Sequence, residues 1–476
     1  MRWRTEDPIG AIALRIEKSS RRCAVAAIAA SLTLLATASG AAAATGITIA
    51  EPIPGQLEVS PDGVLQERFI VPITVLDRLA TIPQGTPVTI EGWPVAPGER
   101  RSITVERHQV VDRAAPRLLV SPSGTVPLPA SSRVHLWGHV AGDDGRILLS
   151  LDPTARSLRG FVVAGGTVHD LAPSGGDHLV VPAAERLAAK GWTIQPWACS
   201  AEDEALEAPA ELPVRGEPAP PDAPELAALS ASIAFDTDTE FMQLKFGNDQ
   251  AAALDYIADL VAAMNVMYER DLDVTLLQGE TILRVGSDPY NQNSGGAASS
   301  AELSEFSSYW AAHYSGIDRA LAAMLSGKSP SPYSASGIAW LGGLCSHSYG
   351  YSFTKVFQID YLAGDAFVVG HELGHNFGSR HTHCYVPPID ECYAGESGCY
   401  QGPTSCPGGP GTVMSYCHLN GCGNNLMEFH SRVIANILTN YLPPAVGVCI
   451  FPAGGEELFS DGFESGTTGA WSATNP

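Results

Sequence analysis

The run from Asp365 through His371-Glu372-Leu373-Gly374-His375-Asn376-Phe377-Gly378-Ser379-Arg380-His381 dictates its own shape more tightly than any other segment of the chain. It predicts a helix that ends at a glycine. On a helix, side chains four residues apart lie one turn above the other, so His371 and His375 share a face. Gly378 then permits a reversal. Without a Cβ it reaches positive φ at little cost, stops the helix and lets His381 approach the first pair from another direction.

Imidazoles placed in this way suit a chelate. Two nitrogens one turn apart can meet one ion at about 2.0–2.1 Å, and the third completes a set of three protein ligands. Three ligands leave a fourth position for water, which is the pattern of a catalytic rather than a structural zinc site. Glu372, next to the first histidine, is placed to take a proton from that water, whose pKa zinc brings towards ~7. The full pattern HExxHxxGxxH fixes two residues more than the common HExxH. The rival account, three histidines on a polar helix surface, leaves that spacing unexplained.

The chain has 476 residues, too many for one ordinary domain, and its apolar content of 45% suits folded units with real cores. Its formal net charge of −23 repels phosphate backbones and anionic lipid, so nucleic acid is not an expected partner. Arg15, Lys18, Arg21 and Arg22, the apolar run Cys23 to Ala38 and the small residues Ser39 to Ala44 predict a secretory leader over residues 1–44. No later segment reads as long and apolar enough to span a bilayer, so no stable membrane anchor is expected. Export also suits the cysteines. Cys23 leaves with the leader, Cys199 stands alone, and eight fall between Cys345 and Cys449, which predicts a disulfide-stapled domain without fixing its pairing.

Residues 45–199 read as β-rich. Arg133 to Val140 and Arg146 to Leu149 flank Gly142-Asp143-Asp144-Gly145 as a hairpin, and Gly160 to Val163 predicts a further strand before Gly165-Gly166. Residues 200–229 mix acidic residues with Pro209, Pro213, Pro218, Pro220, Pro221 and Pro224, the composition of an extended, solvated linker open to a processing protease, with Arg215 a candidate cut site. Residues 230–450 alternate strand and helix, which predicts an α/β (α+β) domain with a twisted mixed sheet and one long helix carrying the histidines. Its expected elements are a strand at Ile233-Ala234-Phe235, a helix from Asp249 to Glu269, a strand pair over Val274 to Val285 around Gly279, a second helix over Ala301 to Leu325, and a strand at Gly337 to Leu341. A polar, glycine-rich tail, 451–476, is expected to be flexible; it resembles tails of exported proteobacterial proteins.

With these residues set out, the sequence resembles the metzincin zinc metalloproteases, and among them the reprolysin (adamalysin) branch. Gly411-Thr412-Val413-Met414-Ser415-Tyr416-Cys417 matches the metzincin methionine turn, which implies that Met414 supports the ligand histidines from below. Gly337 to Cys345 and Tyr349 to Ser352 resemble the edge strand and loop against which a substrate adds as an extended strand. By the same resemblance Cys345 is expected to pair with Cys449. Leu136 to Val140 and Leu158 to Phe161 resemble reprolysin propeptide strands, making 45–199 a pro-domain. Thr382 departs from the pattern, since reprolysins place Asp after the third histidine.

The resemblance implies a secreted endopeptidase, made as a zymogen, that hydrolyses protein or peptide substrates with one zinc ion on His371, His375 and His381 and Glu372 as base. A structural calcium is a further candidate cofactor without support in the sequence; Asp236 and Asp238 read instead as a solvated strand end. Cys199, ending the pro-region, resembles a cysteine switch whose sulfur takes the water's place on zinc; the alternative is a free or intermolecularly paired thiol. Tyr416 resembles the tyrosine that astacins and serralysins use as an extra, switching zinc ligand; the alternative is a packed ring bonded elsewhere. His347, His383 and His418 read as surface loop residues. Two rival functions stay open: a catalytically idle binding or adhesion protein on this fold, and a metzincin of another branch with a tyrosine switch.

Overall fold

The computed structural model describes residues 46–142, 144–200, 228–292, 294–406, 408–423 and 425–453. The leader, linker residues 201–227 and tail residues 454–476 lie outside the described residues.

The N-terminal region builds a curled ten-stranded sheet, antiparallel except where Ile47–Ile49 runs parallel to Val88–Ala96. The predicted hairpin is there, as Val134–Val140 against Arg146–Asp152 with Leu136 opposite Leu149. Ser157–Ala164 follows antiparallel. Alternate residues of these strands enter two different cores. Leu136, Ile147 and Leu149 pack inside the sheet with Ile90, Trp93 and Ile103. Trp137, Leu148 and Phe161 face the other way, into a core shared with the helix Gln250–Leu272. A sheet covered on both faces has no need of polar alternation, which accounts for the unbroken apolar runs.

The helix Gln250–Leu272 starts at Asp249, whose side chain accepts from the Ala252 N–H, and ends at Asp273 in the left-handed region. Contrary to the expectation from sequence, it is long and apolar enough to cross a bilayer; however, 83% of its most apolar window is buried inside the protein. It is a core helix, covered by the N-terminal sheet on one side and by the helix Leu362–Asn376 on another.

A second sheet centres on Leu229–Thr237, which runs parallel to Val274–Arg284 on one side and to Leu321–Ser326 on the other. Tyr351–Lys355 continues it in parallel and Ser336–Ala339 closes it antiparallel. Strands from the N-terminal region cap both ends. Arg117–Ser121 pairs in parallel with Val274–Arg284 and brings Gly124–Pro127 with it, while Ala198–Cys199 pairs in parallel with Ser336 and Gly337. The two halves of the chain are therefore one hydrogen-bonded structure rather than a separate β unit followed by an α/β unit.

Three local expectations are corrected. Val274–Arg284 is one continuous strand, because neighbours on both sides pair along it and leave no turn at Gly279. The second helix, Ser300–His313, stops early; residues Leu321–Ser326 form a central strand whose helix-compatible apolar run is claimed by pairing on both edges. Asp236 and Asp238 are fully buried, not solvated. Asp236 accepts from Arg284 at 2.7 Å, Trp310 at 2.8 Å and the Tyr290 hydroxyl at 2.5 Å. Asp238 accepts from the N–H groups of Phe241 and Gly327 and from the Ser326 hydroxyl, and burial pushes its carboxyl up to about 6.

Candidate metal centre

The helix Leu362–Asn376 is anchored at its first turn by Asp365, a buried carboxylate that accepts from Lys245 Nζ at 2.9 Å, the Phe357 N–H at 2.9 Å and the Tyr256 hydroxyl. Burial raises its pKa against the pull of Lys245, and a negative group there complements the helix N-terminus. At the other end Gly378 has φ +93°, and its N–H caps the His375 carbonyl at 2.8 Å. The helix stops where the glycine predicted, and the chain turns back to His381.

His371, His375 and His381 are all fully buried and their Nε2 atoms converge, at 3.1 Å for His371 to His375, 3.1 Å for His375 to His381 and 3.3 Å for His371 to His381. Each Nδ1 faces an acceptor: the Val413 carbonyl at 2.7 Å, the Ser379 carbonyl at 2.8 Å and Glu396 Oε2 at 2.9 Å respectively. Carbonyls only accept, so the protons of His371 and His375 sit on Nδ1 and their Nε2 lone pairs point at a common centre. Tetrahedral ligands at ~2.0–2.1 Å from one zinc would stand ~3.3 Å from each other, so the donor set fits a single divalent ion. Burial, with the neighbouring histidines, pushes the His371 pKa well below the usual imidazole range and takes His375 down to about 3, which favours the neutral ligand form.

Glu372 is also fully buried. Its Oε1 has no hydrogen-bond partner, Oε2 accepts from the Cys199 thiol at 3.5 Å, and burial pushes its pKa up to about 8. Gly337, on the strand Ser336–Ala339, makes room for it: a Cβ there would lie 2.3 Å from Glu372 Oε1. Met414 lies against the helix, its sulfur 2.7 Å from where a Cβ on Gly374 would stand, and its carbonyl accepts from the Thr382 N–H at 3.1 Å. Thr382 thus ties the third histidine's segment to the methionine turn.

Cys199 Sγ lies 3.7 Å from His375 Nε2 and forms, with the three histidines, a group whose ligand atoms all lie within 4.8 Å of one another. It takes no part in a disulfide. The Tyr416 ring packs 4.4 Å from that of His381, and its hydroxyl donates to the Cys199 carbonyl at 2.9 Å. Trp197 stacks on His418 at 4.4 Å and meets the His371 ring edge-on at 4.8 Å. His347 is exposed, as expected of a loop residue. His383 is not: it is fully buried, and its Nε2 reaches Glu396 Oε2 at 2.9 Å.

The eight clustered cysteines form Cys345–Cys449, Cys384–Cys399, Cys392–Cys417 and Cys406–Cys422. The first is the pair that the resemblance implies. Glu396 escaped the sequence reading, and His383 was misread there as a surface loop residue. The available signal was a second histidine two residues after the third ligand, together with an acidic residue inside the small loop closed by Cys384 and Cys399.

Residues 230–429 match the family described as Reprolysin_5, metallo-peptidase family M12. The chain therefore carries a reprolysin-like metallopeptidase domain over those residues. No curated protein matches the chain. Among solved structures it is similar to metalloproteinase-II from Bacteroides fragilis, at 10% identity and a TM-score of 0.33, over 62% of this chain and 81% of that one.

Proposed function

We propose that the protein is a secreted zinc endopeptidase made as an inactive precursor, with residues 45–199 as its pro-region and 230–450 as the peptidase. The observation that carries this reading is the convergence of three buried Nε2 atoms beside Glu372 Oε1, a buried oxygen with no hydrogen-bond partner. His371, His375 and His381 would hold the zinc, which when bound supplies Lewis acidity to the substrate carbonyl and acidifies the attacking water. Glu372 Oε1 takes the proton from that water and passes it to the leaving amine nitrogen.

The substrate backbone would add along Ser336–Ala339, a position taken in the precursor by Ala198–Cys199. The Cys199 thiol, 3.7 Å from His375 Nε2, would keep water and substrate from the centre, and the Tyr416 hydroxyl holds its carbonyl. Trp197 packs with Val368 and fills a slot beside His371 and His418, so a large aromatic side chain of a substrate would fit there once the segment leaves. Four disulfides and the expected leader support an oxidising, extracellular setting.

Mass spectrometry of a peptide library treated with the matured protein tests the reading. Cleavage should vanish on chelation and in Glu372→Ala. Cleavage that survives both would overturn it.

A further inference from the structure

The three histidines are not held alike. The Nδ1 atoms of His371 and His375 bond to main-chain carbonyls of Val413 and Ser379, which the methionine turn and the helix end provide whatever their side chains. His381 lies beyond Gly378, and its Nδ1 bonds to a side chain instead, Glu396 Oε2 at 2.9 Å. That carboxylate is 5% exposed, and the same oxygen also receives His383 Nε2 at 2.9 Å. The two imidazoles lie nearly parallel, 8° apart, so one oxygen sits between two rings.

Covalent and main-chain bonds keep Glu396 in place. Its loop is closed by Cys384–Cys399, the Tyr400 N–H donates to the His383 carbonyl at 3.1 Å, and Gln401 Nε2 donates to the Glu396 carbonyl at 2.5 Å. Thr382, between the two histidines, is turned away to the Met414 carbonyl and offers His381 nothing. A loop fastened this firmly around one buried carboxylate is costly to build unless the carboxylate does something, because a buried charge is tolerated only when it is paired.

We propose that Glu396 is the positioning residue for the third metal ligand: it fixes the His381 proton on Nδ1, aims Nε2 at the centre shared with His371 and His375, and makes that nitrogen a stronger donor. His383 holds the carboxylate from its other side. This rests on the zinc peptidase reading, since it concerns how the chain holds that ion. Carboxylates that orient a metal-bound histidine in this way typically change metal affinity by about 10–100-fold when removed.

The test measures zinc affinity of the full-length chain by competition with a chelator, and the visible spectrum of the cobalt-loaded protein. Glu396→Ala should weaken zinc by about 100-fold and Glu396→Gln, whose Oε1 still accepts one N–H, by about 10-fold. Both should shift the cobalt bands while the four disulfides still form. A purely space-filling role would leave Glu396→Gln like the wild type. Folded variants with wild-type affinity and spectrum overturn the proposal; a wild-type chain that binds no zinc overturns the peptidase reading beneath it. Proton NMR of the zinc-loaded wild type, labelled at histidine, needs no variant to fold. A slowly exchanging, strongly downfield His381 Nδ1 proton supports the proposal, and its absence counts against it.

Discussion

The N-terminal region and the metallopeptidase domain are held together by different means. Among the described residues the first has no disulfide; it relies on a curled sheet closed around its own apolar core. The second joins four disulfides to a set of fully buried ion pairs, Asp236–Arg284, Glu302–Lys355 and Asp365–Lys245. The candidate metal centre lies in the stapled half, with the Cys199 segment against it. A region that must keep three imidazoles within a few tenths of an ångström needs a rigid surround, whereas a cover that, on the zymogen reading, has to leave is better without covalent ties.

Four experiments would break or sharpen this contrast. The largest effect is expected at the centre itself: Glu372→Ala should lower peptide hydrolysis by the matured protein by about 10²–10⁴-fold while leaving the full-length chain folded, as read by turnover and circular dichroism. Next comes the joint between the halves, where Asp259 is buried among His135, Ser150, Arg133 and Arg159. Asp259→Ala leaves buried cations without their partner and should destabilise the chain by about 3–5 kcal/mol in denaturant unfolding. Replacing Cys345 and Cys449 together by Ser should remove about 2–5 kcal/mol, seen as a lower midpoint in denaturant unfolding of the chain.

The smallest effect is the pH dependence of the joint. Burial raises the Asp259 pKa, but His135, Arg159 and Arg133 outweigh it and bring the carboxyl from 3.8 down to about 2. A depressed carboxylate contributes stability that is complete above pH ~4 and fades as the pH falls towards ~2, here roughly 2 kcal/mol. Unfolding curves collected across that window should show the loss in the wild type and not in Asp259→Asn.

Much of the centre was legible because it is local. One helix, one glycine and one reversal place His371, Glu372, His375 and His381, and the pattern is complete within eleven consecutive residues. The helix Gln250–Leu272 and the hairpin around Gly142 were legible for the same reason, as periodicity and turn chemistry act over short spans. What escaped depends on distant partners. Nothing in residues 321–326 announces two flanking strands, and nothing in Asp236 foretells Arg284, Tyr290 and Trp310. Glu396 was hidden because its position comes from a loop geometry that three interleaved disulfides, Cys384–Cys399, Cys392–Cys417 and Cys406–Cys422, create. The sharing of one sheet by both halves was equally hidden, since strands report their own propensity but not whom they join.

That sharing bears on how such a precursor would be woken. Severing the backbone between residues 200 and 229 breaks none of the strand pairing that joins the halves: Arg117–Ser121 stays paired with Val274–Arg284, and Ala198–Cys199 with Ser336 and Gly337. On the zymogen reading the cut piece would be a tethered inhibitor turned into a bound one. On that reading its departure would be governed by residence time and dilution rather than by the nick, so the activity that appears after scission should lag behind it and reach a lower fraction of the full value as protein concentration rises.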